Sequence, residues 1–437
     1  MRILFIAHRL PYPPNKGDKI RSFRELEALA CRHEVDLFCF YDQPEDTQYF
    51  PIVRQYCRDF YAEKISWWRS RVQASLAYAS GSPFTTAFYR SPKMTLRVRK
   101  ARTERKYDLI FVFSSSMAQY VDDASETRVL DMVDVDSDKW NQYADYTRPP
   151  ASWLWGAEGR RLAKYESRWA RKFSMTLLST RAEAESLRRN VAGANIEELE
   201  NRMDISYFDP NPVVVPPEIA TWQPYIIFTG SMDYFPNVDA VTFFYREVFR
   251  AIRVLVPRAR FVIAGRNPTR AVRQLGSDPA VLVTGTILDI RPYLRGASVA
   301  IGPLRVARGV QTKIFEAMAM GVPVVISSRV AKAVPECLLS GVSVEDDPGR
   351  LTAVLVQKLQ SRTTVSEMST RRLLIEYYSS LQWEDQLEDR LRRALDSRSH
   401  NEHASAIHTA GIHDETQHCN PAIRNNAASL GASADDN

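Results

Sequence analysis

A chain of 437 residues is longer than one hydrophobic core organises and predicts two domains with additions. Its 45% apolar and 25% charged residues exclude a disordered or fibrous chain. The net charge of +6 is modest but uneven, and the five cysteines (Cys31, Cys39, Cys57, Cys337, Cys419) have no CxxC spacing that would suggest zinc.

Arg2 to Ala7 is a short apolar run of the kind expected for a strand buried on both faces. It is too short for a signal sequence, and no apolar run reaches the ~18 residues of a spanning helix, so a cytoplasmic protein is expected. The loop HRLPYPPNKGDK (His8 to Lys19) follows, then an amphipathic helix over Ile20 to Cys31. The loop is neither a GxGxxG nor a P-loop, which argues against a dinucleotide enzyme or an NTPase. Gly17, with Lys19 and Arg21, either meets a phosphate or forms a packed turn.

Val35 to Phe40 predicts a strand and Tyr49 to Phe60 a helix. From Lys64 to Lys106 there are eleven Lys/Arg and one acid, Glu104, interleaved with Trp67, Trp68, Tyr78, Phe84, Phe88 and Tyr89. Cations among aromatics suit an anionic membrane interface, a single-stranded nucleic acid or a phosphorylated acceptor; a solvated face above core aromatics has the same composition. Asp108 to Phe113 and Arg128 to Val133 predict buried strands, the second running into DMVDVDSDKW. Its four carboxylates either form a base or metal site or cap helices, with Asp134 the one expected at a cleft. Ala151 to Asn190 is largely helical and basic, and Met175 to Ser179 is expected to be the last strand of this half.

Pro210, Pro212, Pro216 and Pro217 mark a linker. Beyond it, Tyr225 to Phe228, Arg260 to Ala264, Val281 to Val283 and Val299 to Ile301 each end at or near a glycine, the pattern of a parallel sheet with a ligand along one edge. Residues Gly302 to Ser328 then give loop, helix (Thr312 to Met320) and strand (Val322 to Ser327). Lys313 and Glu316 share one helix face, where a lysine suits a diphosphate and a carboxylate suits a pair of ribose hydroxyls. Gly309 lets the backbone approach such a ligand. Tyr377 to Leu395 predicts an amphipathic helix. Residues 398–437 lose periodicity, hold five of the seven histidines and are expected to be disordered.

The segment GVQTKIFEAMAMGVPVV (Gly309 to Val325), between two Rossmann-like halves, resembles the nucleotide-sugar motif of family 4 glycosyltransferases of the GT-B fold. The phrases VLDMVDVDSDKW, FTGSMDYFPNVDAV, DIRPYL and PLRVARGVQTK resemble one branch more closely, the sugar transferases encoded with bacterial exopolysaccharide and exosortase (PEP-CTERM) systems. The resemblance covers residues 1–396. It implies an α/β GT-B architecture with an acceptor-side domain over 1–209, a linker over 210–220, a nucleotide-sugar domain over 221–375 and a helix over 376–397 returning to the first domain. It further implies that Glu316 binds the ribose and Lys313 the diphosphate. Gly230 would admit the β-phosphate, Gly285 would flank the base, and Arg266 and Arg305 would add phosphate contacts. Gly17 would lie under the transferred sugar with Arg21 nearby, and Asp134 at the cleft. The resemblance implies retention, no metal and no cofactor, a nucleoside-diphosphate-sugar donor and a lipid-linked or glycan acceptor. An enzyme of this kind would sit on the inner membrane through 64–106 and 151–172 and bind no nucleic acid.

The sequence departs from that family at Arg308, where the first acid of a Glu-x7-Glu spacing belongs. It departs again at Met232 to Asn237 (MDYFPN), which replaces an Arg…Lys pair, and it offers no clear counterpart of the cleft histidine. A nucleotide-sugar epimerase and a catalytically silent scaffold subunit remain as alternatives.

Overall fold

In the computed structural model, which describes residues 1–397 apart from 15–16, 202, 204, 308–310, 361–364 and 381, the apolar runs become the strands of two all-parallel sheets. The first sheet contains β1 (Arg2–Ala7), β2 (Glu34–Tyr41), β3 (Asp59–Lys64), β4 (Leu109–Phe113), β5 (Thr127–Val133), β6 (Met175–Leu178) and β7 (Ile196–Glu198) in the order β3-β2-β1-β4-β5-β6-β7. The second contains β8 (Tyr225–Thr229), β9 (Arg260–Ala264), β10 (Val281–Gly285), β11 (Val299–Gly302), β12 (Val324–Ile326) and β13 (Val342–Val344) in the order β10-β9-β8-β11-β12-β13. Strands such as Leu109–Phe113 and Tyr225–Thr229 are buried at every position, because helices cover both faces of each sheet. This is the two-domain Rossmann-like α/β architecture expected. In each sheet the strand order reverses beside the first strand, between β1 and β4 and between β8 and β11. Ligands of such sheets bind at that reversal, outside the carboxyl ends of the strands.

Three expectations fail for physical reasons. The helix expected over Tyr49 to Phe60 is one short turn (Phe50–Val53) between 3-10 turns, and β3 starts at Asp59. Its residues DFYAEK carry charges that neighbours neutralise: Arg97 and Arg105 both reach Asp59. Met175 to Ser179 is not the last strand of its half, since β7 pairs beside it. The helix expected over Tyr377 to Leu395 is two helices, Val365–Ser380 and 383–397, parted at Gln382, whose φ is +42°.

The helix over 383–397 leaves the second half and packs on the first. Trp383, Leu387, Leu391 and Ala394 join the core formed by Ile3, Phe5, Leu26 and Leu37. Trp383 Nε1 donates to the carbonyl of Glu200 at 2.6 Å, and Arg393 makes two 2.7 Å bonds to Glu197. Residues 398–437, with their five histidines and Cys419, lie outside the described residues.

Candidate functional site

The second sheet builds a polar cradle at its strand reversal. β8 runs into Gly230 and β9 into Gly265, with φ of +149° and +155°. A Cβ on Gly265 would lie 1.7 Å from the Gly230 carbonyl oxygen, and one on Gly230 would lie 2.7 Å from Asn237 Nδ2 and 3.3 Å from Lys313 Nζ. Only glycine lets these backbones and side chains come together. Lys313, near the start of the helix Thr312–Ala319, donates from Nζ to Asn237 Oδ1 at 2.6 Å and sits 4.5 Å above the Phe228 ring. Burial lowers its ammonium to about 7, although Glu316 opposes that shift; burial also raises the Glu316 carboxyl to about 7, against the pull of Lys313. Two groups poised between charged and neutral, at a strand reversal, suit a ligand that brings its own charges and hydroxyls.

Around this cradle, Arg266 Nε donates to Ser231 Oγ at 3.2 Å, and Asp233 ties Ser231 to Asn267. Gly285 lies at the register shift that ends β10, with φ of +68°. Arg305 stands apart from Lys313: it pairs with Asp239 and lies 4.9 Å over Phe243, on the wall of a cavity of about 410 Å³ that Ser327, Ser328 and Asp346 also line. The structure thus groups Gly230, Lys313 and Glu316, places Arg266 beside them and turns Arg305 to another partner. Arg308 and Gly309 lie outside the described residues. Sequence reasoning missed Asn237; the signal was its place one turn into the helix that follows Gly230-Ser231.

In the first half, Gly17 is exposed and begins the helix Gly17–Arg32. Arg21 is turned inward and does not reach a cleft. Its Nε meets Asp131 at 2.6 Å and Glu25 at 3.2 Å, and its Nη1 donates to the Leu199 carbonyl and Asn201. The side chains of Arg21, Glu25 and Asp131 are at most 1% exposed. A guanidinium spent on these groups locks the first helix to β5 and the chain after β7, and is held there by the cost of burying an unpaired charge. The four aspartates divide their work. Asp131 pairs with Arg21, Asp136 faces Lys139 at 3.7 Å, and Asp138 accepts from Ser186 at 2.7 Å. Asp134 accepts from Ser179 at 2.8 Å, and burial pushes its carboxyl up. The helix that follows, Asp136–Tyr146, meets the other half of the molecule: Tyr143 packs edge-on to Phe235 at 5.5 Å, and Lys139 lies 5.8 Å from the Tyr234 ring. Asp134 therefore lies at the start of an element that closes against the donor-side loop. Sequence reasoning also passed over His8, the first residue after β1, whose Nε2 is 3.3 Å from Asp18.

The basic stretch 64–106 splits in two. Arg97, Arg99, Arg102 and Arg105 each face an aspartate or glutamate. Trp67, Trp68, Val72 and Leu76 instead project from the helix Trp67–Ala79, with Trp68 74% exposed, and Arg71 caps Trp67 at 3.7 Å. The helix Ala151–Lys172 also exposes Trp153, at 71%, and Leu154, and a bond from Tyr78 Oη to the Leu154 carbonyl joins the two helices. Phe88 and Tyr89 pack inward on the core that contains Leu4, Ile6 and Phe38. Among the described residues no helix is long and apolar enough to cross a membrane, and no three His, Cys, Asp or Glu residues gather to hold a metal.

Comparison with known proteins agrees with this geometry. Residues 223–361 match the family described as Glycosyl transferases group 1, so the half that holds the cradle is a glycosyltransferase domain. No curated protein sequence matches the chain. Among solved structures, the chain is similar to Anabaena HepE in complex with UDP, at 12% identity and a TM-score of 0.60 over 90% of this chain and 100% of that one. It is also similar to sucrose-phosphate synthase from Thermosynechococcus elongatus, at 15% identity and a TM-score of 0.63 over 91% and 100%. A third is the UDP-forming alpha,alpha-trehalose-phosphate synthase from Burkholderia vietnamiensis, at 12% identity and a TM-score of 0.61 over 90% and 100%. At these identities the likeness carries the fold, GT-B, along the length of both halves.

Proposed function

We propose that this protein moves a hexosyl unit from a nucleoside-diphosphate sugar to a lipid-linked or growing polysaccharide acceptor, in the synthesis of exopolysaccharide or another cell-surface glycan. The observation that carries the reading is the cradle of Gly230, Asn237, Lys313 and Glu316 at the strand reversal of a glycosyl transferase group 1 domain. In this reading Lys313 and Arg266 meet the diphosphate, the helix start behind Lys313 adds its dipole, and Glu316 receives the two ribose hydroxyls. Gly285 flanks the base, and the resemblance assigns Arg308 and Gly309 to the phosphates, whereas Arg305 turns away to Asp239. Retention and independence from metal and cofactor come with the resemblance to family 4; the cations and dipole would stabilise the departing diphosphate. Gly17 and Asp134 face the transferred sugar, whereas Arg21 supports them from the core. Structures similar to this one hold UDP or UDP-glucose, which favours uridine as the base to try first. A thermal-shift panel of nucleoside-diphosphate sugars, followed by nucleotide release from those that stabilise the chain, tests the reading. A panel without stabilisation and without release rejects it.

The acceptor side suggests a peripheral site on the anionic inner face of the membrane. Trp67, Trp68, Val72 and Leu76 are exposed on one helix and Trp153 and Leu154 on the helix bonded to it, with Arg69, Arg71 and Arg90 near the first. Indole rings at headgroup depth with arginines among anionic lipids are what such a surface requires. Trp68→Ser combined with Trp153→Ser is expected to weaken binding to phosphatidylglycerol vesicles about tenfold or more, without change in the donor's thermal shift. Equal vesicle binding by this variant and the wild type would remove these side chains from the proposal.

A further inference from the structure

The strand reversal of the first sheet also has a polar group that the donor site does not use. His8 follows β1 there, beside the end of β4. Its ring lies nearly parallel to Phe113, centroids 5.7 Å apart and planes at 8°, and meets Tyr89 edge-on at 5.6 Å. Nε2 is 3.3 Å from Asp18 Oδ2, an oxygen that Arg9 Nη1 reaches at 2.8 Å. Burial alone would raise the Asp18 carboxyl, but its hydrogen bond to His8 and the charges of His8 and Arg9 hold it well below the usual carboxylate range. On the other side of the ring, Nδ1 is buried and has no hydrogen-bond partner among the described residues. Folded proteins keep few such atoms, and they concentrate where something else completes them.

The chemistry of the pair sets which partner is missing. An ionised carboxylate only accepts, so the nitrogen that faces Asp18, Nε2, carries a proton. Phe113 and Tyr89 hold the ring in that orientation. Nδ1 has either a lone pair or a second N–H to satisfy, and a hydroxyl, which both donates and accepts, completes either. Arg9, Asp18 and Tyr89 are the charged or titratable neighbours, with Asp42 and Asp136 acting on Tyr89 from further out. Three carboxylates against the one guanidinium of Arg9 favour a neutral partner over an anion, again a hydroxyl.

We infer that His8 contacts the acceptor, its Nδ1 hydrogen-bonded to a hydroxyl of the incoming sugar or glycan, with Asp18 as the positioning residue that fixes the ring. The inference rests on the glycosyl-transfer reading and supplies that reading's acceptor contact. It places the acceptor on the first half, across from Lys313 and Glu316, with Gly17 at the start of the helix that carries Asp18.

The test uses the full chain, the UDP-sugar giving the largest thermal shift as donor, and n-octyl β-D-glucopyranoside or water as the hydroxyl probe. In protein carrying 15N-histidine, His8 is expected to hold a proton on Nε2; a ring with Nε2 unprotonated overturns the inference. His8→Ala is expected to slow nucleotide release about tenfold or more while leaving the donor's thermal shift unchanged. His8→Asn, whose side-chain oxygen falls close to the position of Nδ1, is expected to recover part of that loss. Release by His8→Ala at the wild-type rate overturns the inference. Wild-type protein that neither binds nor cleaves any UDP-sugar counts against the transferase reading instead, and the nitrogen signals still decide the state of His8.

Discussion

Glu316→Ala is expected to weaken binding of the nucleoside-diphosphate-sugar donor by about 100-fold, and Glu316→Gln by nearly as much. An ionised carboxylate receiving two hydroxyls makes charge-assisted bonds of about 1.5–3 kcal/mol each, and the amide offers one neutral oxygen in their place. The same substitution should leave the unliganded fold intact or stabilise it. Burial raises the Glu316 carboxyl to about 7, so folding pays for its charge above that pH. The sign follows from linkage: a carboxyl raised on folding costs nothing below its unfolded value of about 4.5, costs progressively more up to about 7, and costs a constant amount beyond. Glu316→Gln should therefore raise the melting temperature at pH 8 and leave it unchanged at pH 4. Stability and function move in opposite directions here, which marks a residue kept for its ligand. Calorimetric titration with UDP-sugars, with melting curves at the two pH values, reads both effects. Wild-type donor affinity in Glu316→Ala would take Glu316 out of the site.

The donor side was legible because its residues are local in sequence. Gly230 follows a strand, and Lys313 and Glu316 share one face of one helix, so spacing alone brings them to the same strand ends. Arg21 was not legible. Its environment is set by Asp131, Leu199 and Asn201, which lie 110 to 180 residues further along the chain. A short-range reading sees only an arginine just after a proline-rich loop. The eleven cations of 64–106 misled in a similar way. Arg102 looks like part of a basic face until the fold brings Asp123 and Glu126 to it. What survived of that face are the exposed indoles and leucines on two helices, which are joined only once Tyr78 meets Leu154. The strands β3 and β7 escaped notice because their charged side chains break the apolar pattern, and their pairing with β2 and β6 outweighs that local bias. His8 stood in plain view in the first loop, but its meaning depends on a partner ten residues on and a bare nitrogen, both of which are three-dimensional facts.

Affinity for UDP is expected to be greatest near pH 7 and to fall on both sides, with Lys313 responsible for the upper limb. Burial lowers the Lys313 ammonium to about 7, so unliganded protein above that pH holds a largely neutral amine bonded to Asn237. A diphosphate favours the charged form, and binding above pH 7 must therefore take up a proton, weakening by up to about tenfold for each further unit. Below pH 7 Glu316 gains a proton and loses an acceptor for the ribose, which gives the lower limb. Lys313→Met separates these effects from the nucleotide's own ionisation. It should cost about 10²–10³-fold in nucleotide release, because a cation that meets charge developing on the leaving diphosphate acts mostly in the transition state. It should also remove the upper limb and leave the lower one. Titrations in two buffers of different ionisation enthalpy count the protons directly. Proton uptake at pH 8 in the wild type and none in Lys313→Met is the expected pair of results, and uptake of the same size in both proteins would assign the proton to another group. Such an ammonium is cheap to bury while the cleft is empty and becomes fully charged only when a diphosphate arrives, which explains how a lysine can wait between Phe228 and Asn237 with no carboxylate bound to it directly among the ion pairs described.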